Sequence, residues 1–238
     1  ILLSEPLNRY LAPIGDGLAG NFENSVLVYQ DSSGGEDWNR WPGVTFRGYK
    51  FYVDGIEERN GNRFRGWMDI QGSKLGVGVG VRYFWQNYPK AIEATGNGEV
   101  YVRLMPKYFS QPFEHRAGEH KTHEVIVYFH GAQESSDKTR QTLESLLNPL
   151  YARAPAEWYM YSGVFDYFEP YNPEGFEYYE VNNLAAVKNG TGGYYGDNLF
   201  DIRENVDFYG WMHFGDVRVV DEDGGTGQMN LQYDFGYG

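Results

Sequence analysis

The sequence has no cysteine, which excludes disulfide bonds and thiolate metal sites but does not fix the cellular compartment. Long apolar runs are also missing, and no stretch comes near the roughly 18 residues that indicate a transmembrane helix. Helix-forming residues rarely occur in periodic blocks. The chain is instead rich in aromatic residues and glycine, with 21 Tyr, 15 Phe, 6 Trp and 31 Gly. This composition is typical of a β-protein with many turns.

Basic residues are in short supply, with 20 Lys and Arg against 33 Asp and Glu and a formal net charge of −13. The deficit lies in residues 120–238, which carry 7 basic and 19 acidic side chains, whereas residues 1–119 carry 13 and 14. Such a surface repels nucleic acids and anionic membranes, so we expect neither as a partner. It also disfavours a polyanionic substrate unless a bound cation or a local basic patch reverses the field.

Glycine and valine alternate strictly over residues 76–81, which places Val77, Val79 and Val81 on one face of a strand and three glycines on the other. Glycine weakens the interior of a strand, so three glycines on one face indicate that something approaches the backbone closely. One interpretation is that a neighbouring loop or large aromatic rings cover this face. The other is that the face forms the floor of a sugar-binding site.

Alternating apolar patterns predict a series of strands, with a hairpin across residues 71–74. The predicted strands are 25–30, 46–54, 64–70, 75–83, 99–105 and 122–129. Residues 1–24 contain several prolines and glycines and are predicted to be a loop-like linker that leads into the sheet.

A short helix is predicted after the strands, capped by Ser135 or Ser136, with leucines at helical spacing. These leucines are Leu143, Leu146, Leu147 and Leu150. We therefore predict a mainly β fold, an antiparallel β-sandwich followed by a loop-rich mixed extension with a short helix. The predicted domains are a linker at 1–24, the sandwich at 25–131, a helical connector at 132–155 and an aromatic, acidic extension at 156–238.

Three segments carry a resemblance to a known family, and their order and spacing are more specific than any one of them. The segments are YQDSSGG at 29–35, RGW at 65–67 with FWQNYPK at 84–90, and GEHKTHE at 118–124. Together they resemble the central β-sandwich of exo-acting rhamnogalacturonan lyases and the related YetA-like proteins. More weakly, residues 209–216 and 233–234 resemble the opening of the α/α-toroid domain of that family. The resemblance covers roughly residues 20–238.

The resemblance implies a portion of a secreted or periplasmic polysaccharide lyase that cleaves rhamnogalacturonan, the pectin backbone, by β-elimination. This reaction requires a neutralised uronate carboxylate, a base and an acid. The resemblance places His213, Tyr209 and Tyr233 at the cleft as candidate catalytic residues, and Trp211 as a stacking platform. The alternative for this segment is an aromatic core cluster with one satisfied histidine. Because the toroid stops after its first segment, we expect the isolated chain to have little or no lyase activity.

Trp85, Trp38 and His130 are the further candidates for substrate binding, and the expected partner is an acidic or neutral polysaccharide. For the histidines near the end of the sandwich, the alternative is structural hydrogen bonding at a sheet edge. Two other functions stay open. One is a non-catalytic carbohydrate-binding module that uses Trp38, Trp67, Trp85 or Trp211, and the other is a structural subunit that self-associates.

No cofactor is predicted with certainty. His120 and His123 lie on an extended segment and do not form a helical metal pair, so we predict no bound zinc. Three carboxylates at 221–223 precede two glycines, and such a loop either holds Ca²⁺ through oxygen ligands or is an exposed acidic turn.

Overall fold

The structure is a computed structural model that describes residues 1–39, 41–114, 117–118, 120–164, 169–184, 199–205 and 207–211. The described residues form two compact units. The first contains Ile1–Asn148 and takes in residues 207–211 from much later in the chain. The second contains the described part of residues 149–205.

The first unit is a β-sandwich of two antiparallel sheets with five strands each, which confirms the predicted fold class. In chain order the strands are β1 (Arg9–Ala12), β2 (Leu18–Asn21), β3 (Ser25–Gln30), β4 (Tyr49–Val53), β5 (Ile56–Gly61), β6 (Trp67–Gln71), β7 (Leu75–Val81), β8 (Lys90–Thr95), β9 (Val100–Arg103) and β10 (Val125–Gly131). The first sheet has the order β10-β7-β6-β1-β2, and the second has the order β5-β4-β3-β8-β9.

The main core lies between the two sheets and is built by the alternation of side chains along each strand. Val77, Val79 and Val81 of β7 are at most 1% exposed, as the sequence predicts. Val28 of β3 and Phe51 of β4 belong to the same buried cluster. Complete burial of one such side chain stabilises the fold by about 1.5–3 kcal/mol relative to exposure. The glycines of β7 consequently face outward.

The interpretation of residues 1–24 as a loop-like linker is wrong. Strand β1 pairs with β2 on one side and with β6 on the other, so this segment completes the first sheet. Leu7, Tyr10 and Ala12 are buried in the main core. These strands have four residues each and are flanked by proline or glycine, which leaves too short an alternating pattern to detect. Strands β5 and β8 also lie outside the predicted segments.

Helix α1 (Ser136–Leu147) begins as predicted, because the Ser135 hydroxyl accepts a hydrogen bond from the Lys138 backbone N–H at 3.3 Å. Leu143 and Leu147 are buried, whereas Leu146 is 47% exposed. Leu150, predicted on the same face, lies beyond the end of the helix and is fully exposed. The apolar face of α1 is therefore narrower than the leucine spacing suggests.

The glycine face of β7 lies beneath this helix. A Cβ atom added to Gly78 would lie 2.8 Å from Leu143 Cδ1, and one added to Gly80 would lie 3.2 Å from Leu147 Cδ2. A Cβ atom added to Gly76 would overlap the His130 ring. The prediction that something covers this face is confirmed, although the cover is a helix and a histidine instead of a loop. The alternative, a sugar-binding floor, is wrong because the face is occupied.

The second unit contributes three short helices, α2 (Ala156–Ser162), α3 (Pro173–Leu184) and α4 (Leu199–Asn205). Helix α2 ends at Gly163, whose φ of 66° is left-handed. Several aromatic side chains of this unit are exposed, among them Trp158 at 60% and Tyr161 at 81%. Within the described part of the chain, no helix has both the length and the apolar character needed to cross a membrane.

Candidate functional site

The segments that carry the family resemblance meet at one end of the sandwich. Gln30, the last residue of β3, is paired with Lys90, the first residue of β8. The Gln30 side chain accepts a hydrogen bond from the Phe64 backbone N–H at 2.9 Å and donates one to the Ser32 carbonyl at 2.6 Å. This buried amide therefore joins the loop after β3 to the loop before β6. The result is a common loop surface built from parts of the chain that are distant in sequence.

A pocket of about 400 Å³ lies on this surface. Its lining includes two arginines, two indoles, a phenol, two amides and a carboxylate: Arg65, Arg82, Trp67, Trp85, Tyr83, Gln86, Asn148 and Glu144. The volume falls in the range of small-ligand sites. We call this cavity the arginine–tryptophan pocket.

Both arginines of the pocket have acidic neighbours. Arg82 forms an ion pair with Glu124, and Arg65 Nη1 lies 3.4 Å from Glu144 Oε1. The Arg65 side chain is 62% exposed, and an exposed pair at this distance contributes little to stability. An incoming carboxylate can therefore replace Glu144 at Arg65 at a small cost in free energy.

Two polar atoms of the lining have no hydrogen-bond partner among the described residues. They are the indole Nε1 of Trp67 and the amide Oε1 of Gln86, and both atoms are buried. Buried polar groups in proteins are almost always paired, so each unpaired group calls for an explanation. Here one donor and one acceptor belong to residues that line the same pocket, but both atoms are closed off from solvent, so a ligand would reach them only if the lining moved.

The indole of Trp85 is held in place from two directions. The Arg63 guanidinium carbon lies 3.9 Å from the centre of the Trp85 ring, and the Tyr209 ring centre lies 4.8 Å from it. The contact with Arg63 is a cation–π interaction. The predicted substrate-binding residue Trp85 thus does line a pocket, as a rigid wall and not as a freely exposed platform.

Tyr209 and Trp211, two candidates from the late aromatic segment, are buried parts of the first unit. Tyr209 is 2% exposed and Trp211 is 9% exposed. The Trp211 backbone N–H donates to the Tyr88 carbonyl at 2.8 Å, and its ring packs against Phe113 with the ring centres 5.2 Å apart. A buried indole cannot stack on a polysaccharide, so the structure does not support the role predicted for Trp211. It favours the alternative of an aromatic cluster for this segment.

Asp207 fastens this late segment to the loop after β3. Its carboxylate accepts hydrogen bonds from the Ser33 hydroxyl and, at 3.5 Å, from the Tyr88 hydroxyl. Its backbone carbonyl accepts one from Trp41 Nε1 at 3.1 Å. Burial and the neighbouring carboxylate together raise the pKa of Tyr88, so this hydroxyl stays protonated. The sequence offers no pattern that predicts Asp207 as an anchor.

The YQDSSGG turn serves the fold and is not a sugar-binding loop. Asp31, Ser32 and Ser33 are completely buried. The Asp31 carboxylate accepts hydrogen bonds from the backbone N–H groups of Thr45 at 2.5 Å and Phe46 at 3.0 Å. These contacts hold two loops together, as expected of a structural turn.

His130 is not available to a substrate, contrary to the prediction. Its side chain is 1% exposed, and its Nε2 lies 2.8 Å from Asp69 Oδ1. Burial opposes protonation of the ring, but the bond to the Asp69 carboxylate outweighs it and raises the pKa of His130. The histidine and the aspartate form a buried pair beside the glycine face, in agreement with the alternative of structural hydrogen bonding.

A second cluster, in which two residues have lowered pKa values, surrounds Lys90. The sequence patterns did not predict a site there. The ammonium group of Lys90 is wholly buried and donates to the carbonyls of Asn87 at 2.5 Å and Pro89 at 3.1 Å. Burial lowers its pKa to about 7. Burial and the nearby Lys90 lower the pKa of His123 to about 4. The side-chain amide of Asn87, also buried, has no hydrogen-bond partner among the described residues. This cluster joins the second and third resemblance segments.

The remaining predicted site residues are not part of the pocket. Trp38 is half-buried in a turn and does not line it. His213, Tyr233 and the acidic loop at 221–225 lie outside the described residues. Within the described ranges, no group of three histidine, aspartate or glutamate side chains is placed to hold a metal ion.

No family model matches the chain, and no curated protein matches it at a significant level. The site therefore has to be interpreted from its own geometry. Sequence reasoning included Arg65, Trp67 and Trp85 in the resemblance segments but did not predict a pocket between them. Glu144 comes from α1, and its approach to Arg65 depends on the packing of that helix over the glycine face.

Proposed function

We propose that the arginine–tryptophan pocket binds a uronate-containing polysaccharide, the rhamnogalacturonan backbone. We propose further that the chain is a portion of a secreted lyase that cleaves this backbone by β-elimination. The observation that carries the proposal is the convergence of Arg65 and Arg82 with the half-buried indole of Trp85 in one pocket of suitable size. Arginine pairs with carboxylates through charge-assisted hydrogen bonds. Aromatic rings contact the apolar faces of sugars, so the combination suits a charged sugar unit.

The net acidity of the chain strengthens this interpretation of the arginines. With a net charge of −13, most of the surface repels a polyuronate. A local basic patch is therefore needed for such a ligand to bind. Arg65 and Arg82 supply the guanidinium groups of such a patch, and a uronate carboxylate would take the place of Glu144 at the exposed Arg65. In β-elimination, the same arginines would neutralise the uronate carboxylate and so stabilise charge that develops on it.

Binding is tested by titrating the chain with rhamnogalacturonan oligosaccharides in a calorimeter. We expect Arg65→Ala to weaken binding about tenfold, because one charge-assisted contact is lost. Arg59→Ala is the matched control, since Arg59 is an exposed arginine on β5 outside the pocket lining. It should change the affinity less than twofold. Equal affinity for a polysaccharide without uronate, or no effect of Arg65→Ala, would contradict the proposed pocket.

The reaction is tested separately, because β-elimination leaves an unsaturated uronate that absorbs ultraviolet light. We expect little or no product from the isolated chain, and product from a longer polypeptide that joins it to a complete toroid domain. His213→Ala in that polypeptide should lower the rate by about 10²–10⁴-fold if His213 is the acid or the base. Absence of unsaturated product from every pectic substrate would refute the lyase but not the binding site.

The alternative function is a non-catalytic carbohydrate-binding module. It is favoured by one observation, since the described lining of the pocket contains neither histidine nor lysine and Tyr83 is its only tyrosine. A binding module would bind rhamnogalacturonan with the same dependence on Arg65 and would never release an unsaturated product. The two assays above therefore separate the alternatives.

A further inference from the structure

A second groove, of about 420 Å³, lies on the outer face of the second sheet. The inward direction of Val26, Val28 and Phe51 turns their strand neighbours outward into this groove. Loop residues, among them Phe46 and Tyr108, add walls to it. The principal lining residues are Leu27, Tyr29, Phe46, Tyr52, Glu93 and Tyr108. We call this cavity the tyrosine groove.

The aromatic rings of the tyrosine groove stand at steep angles to one another. The Tyr29 ring centre lies 5.6 Å from that of Phe46 with an interplanar angle of 80°, and 5.5 Å from that of Tyr108 with an angle of 54°. The Tyr29 hydroxyl is bonded to Asp31, which fixes the ring that the other two contact. The rings therefore form a rigid concave wall in the absence of any ligand, and a ligand would lose little entropy by ordering it.

Polar atoms without protein partners lie among these rings. Arg103 and Tyr108 both donate to Oε2 of Glu93, at 2.7 Å and 3.0 Å. The other carboxylate oxygen, Oε1, receives no donor from the described residues. The hydroxyl of Tyr52 likewise has no hydrogen-bond partner among them. One acceptor and one hydroxyl are thus left beside apolar ring faces.

We propose that the tyrosine groove is a second glycan-binding site and that it takes a neutral sugar unit. A sugar ring presents apolar C–H faces to aromatic rings and hydroxyl groups to single polar atoms, and this groove offers both. The groove offers no unpaired cation to a uronate among the described residues, because Arg103 is paired with Glu93 of the lining and the nearby Lys50 is paired with Glu57 at 2.9 Å. This site does not depend on the proposed function, since it lies on the other sheet and takes an uncharged sugar instead of a uronate.

The test uses the full chain and four neutral probes, namely galactotetraose, arabinotetraose, xylotetraose and cellotetraose. Binding is followed by protein-observed NMR titration and by saturation transfer to the sugar. We expect at least one probe to bind with a Kd of about 1 mM or tighter. Tyr52→Ala should weaken that binding about tenfold by removing both a ring face and a hydroxyl.

Tyr101→Ala is the matched control. Tyr101 lies on β9 of the same sheet and is 37% exposed, but it does not line the groove. It should change the affinity less than twofold. If Tyr52→Ala fails to fold, Glu93→Gln serves instead and should weaken binding about tenfold, because a hydrogen bond to a charged acceptor is lost.

The proposal is overturned if none of the four probes binds, or if binding is unchanged in Tyr52→Ala and Glu93→Gln. It is also overturned if a uronate oligosaccharide competes with the neutral probe for the same NMR shifts. Failure of rhamnogalacturonan to bind at all would refute the proposed function and leave this site standing, so the two failures are distinguishable.

Discussion

The outer faces of the two sheets differ in whether another part of the chain covers them. On the first sheet, glycines let helix α1 lie directly on the backbone, and Leu143 and Leu147 join Trp67 in a second buried cluster. On the second sheet the tyrosine groove stays open, with Tyr52 and Tyr108 at intermediate exposure. The glycines of the first sheet thus allow a helix to cover its outer face, whereas the aromatic residues of the second sheet leave a groove open.

The largest effect on stability is expected from removing the cover of the first sheet. Leu143→Ala should lower the free energy of unfolding by about 3 kcal/mol, because it leaves a cavity above Gly78 that the rigid sheet cannot fill. Leu146→Ala, on the exposed side of the same helix, should cost less than about 1 kcal/mol. Urea unfolding of both variants measures the difference. Equal losses would show that α1 does not form a true second core.

A smaller effect is expected from filling the glycine face. Gly76→Ala should cost about 1–3 kcal/mol, because the added methyl group would meet the His130 ring, which Asp69 holds in place. Gly131→Ala is the control, since a Cβ atom there meets nothing within 4 Å. Its stability should be unchanged or slightly increased. A tolerated Gly76→Ala would mean that the glycines are not required by the packing.

The smallest effect on the free energy of unfolding is expected from a change in pH, which titrates His130 in its buried pair with Asp69. The pKa of His130 is raised in the folded protein, so the folded state holds a proton that the unfolded chain releases earlier. The stabilisation is therefore complete below the ordinary histidine pKa of about 6.5 and is lost as the pH rises through the folded value.

Urea unfolding between about pH 5.5 and 9 should show this loss in the wild type and not in His130→Gln. His120→Gln, which changes an exposed histidine, should behave like the wild type. The difference between variants is the informative quantity, because Lys90, with a pKa of about 7, titrates in all of them. A wild-type slope that persists in His130→Gln would assign the effect to another group.

The alternation of Val77, Val79 and Val81 was enough to predict the buried face of β7, because period-two burial is a local property of the chain. The strands in residues 1–24 could not be predicted in this way, since four-residue strands between prolines and glycines show too little periodicity. The pocket could not be predicted either. Arg65 and Glu144 are 79 residues apart, and only the packed helix brings them together. A predicted candidate lines the pocket where it belongs to an aromatic motif, as at Trp85, whereas the approach of Glu144 depends on charge pairing that the sequence does not reveal.

The bond between Ser33 and Asp207 joins residues 174 positions apart, and it has a consequence for synthesis on the ribosome. The loop after β3 is made early, but its partner carboxylate leaves the ribosome only after the whole of residues 149–206 has been translated. At roughly 5–20 residues per second, the 174 residues from Ser33 to Asp207 take about 9–35 seconds. During that time the hydroxyl groups of Ser33 and Tyr88 lack the acceptor that they have in the finished protein. The end of the sandwich that carries the arginine–tryptophan pocket is consequently the last part of the first unit to be completed.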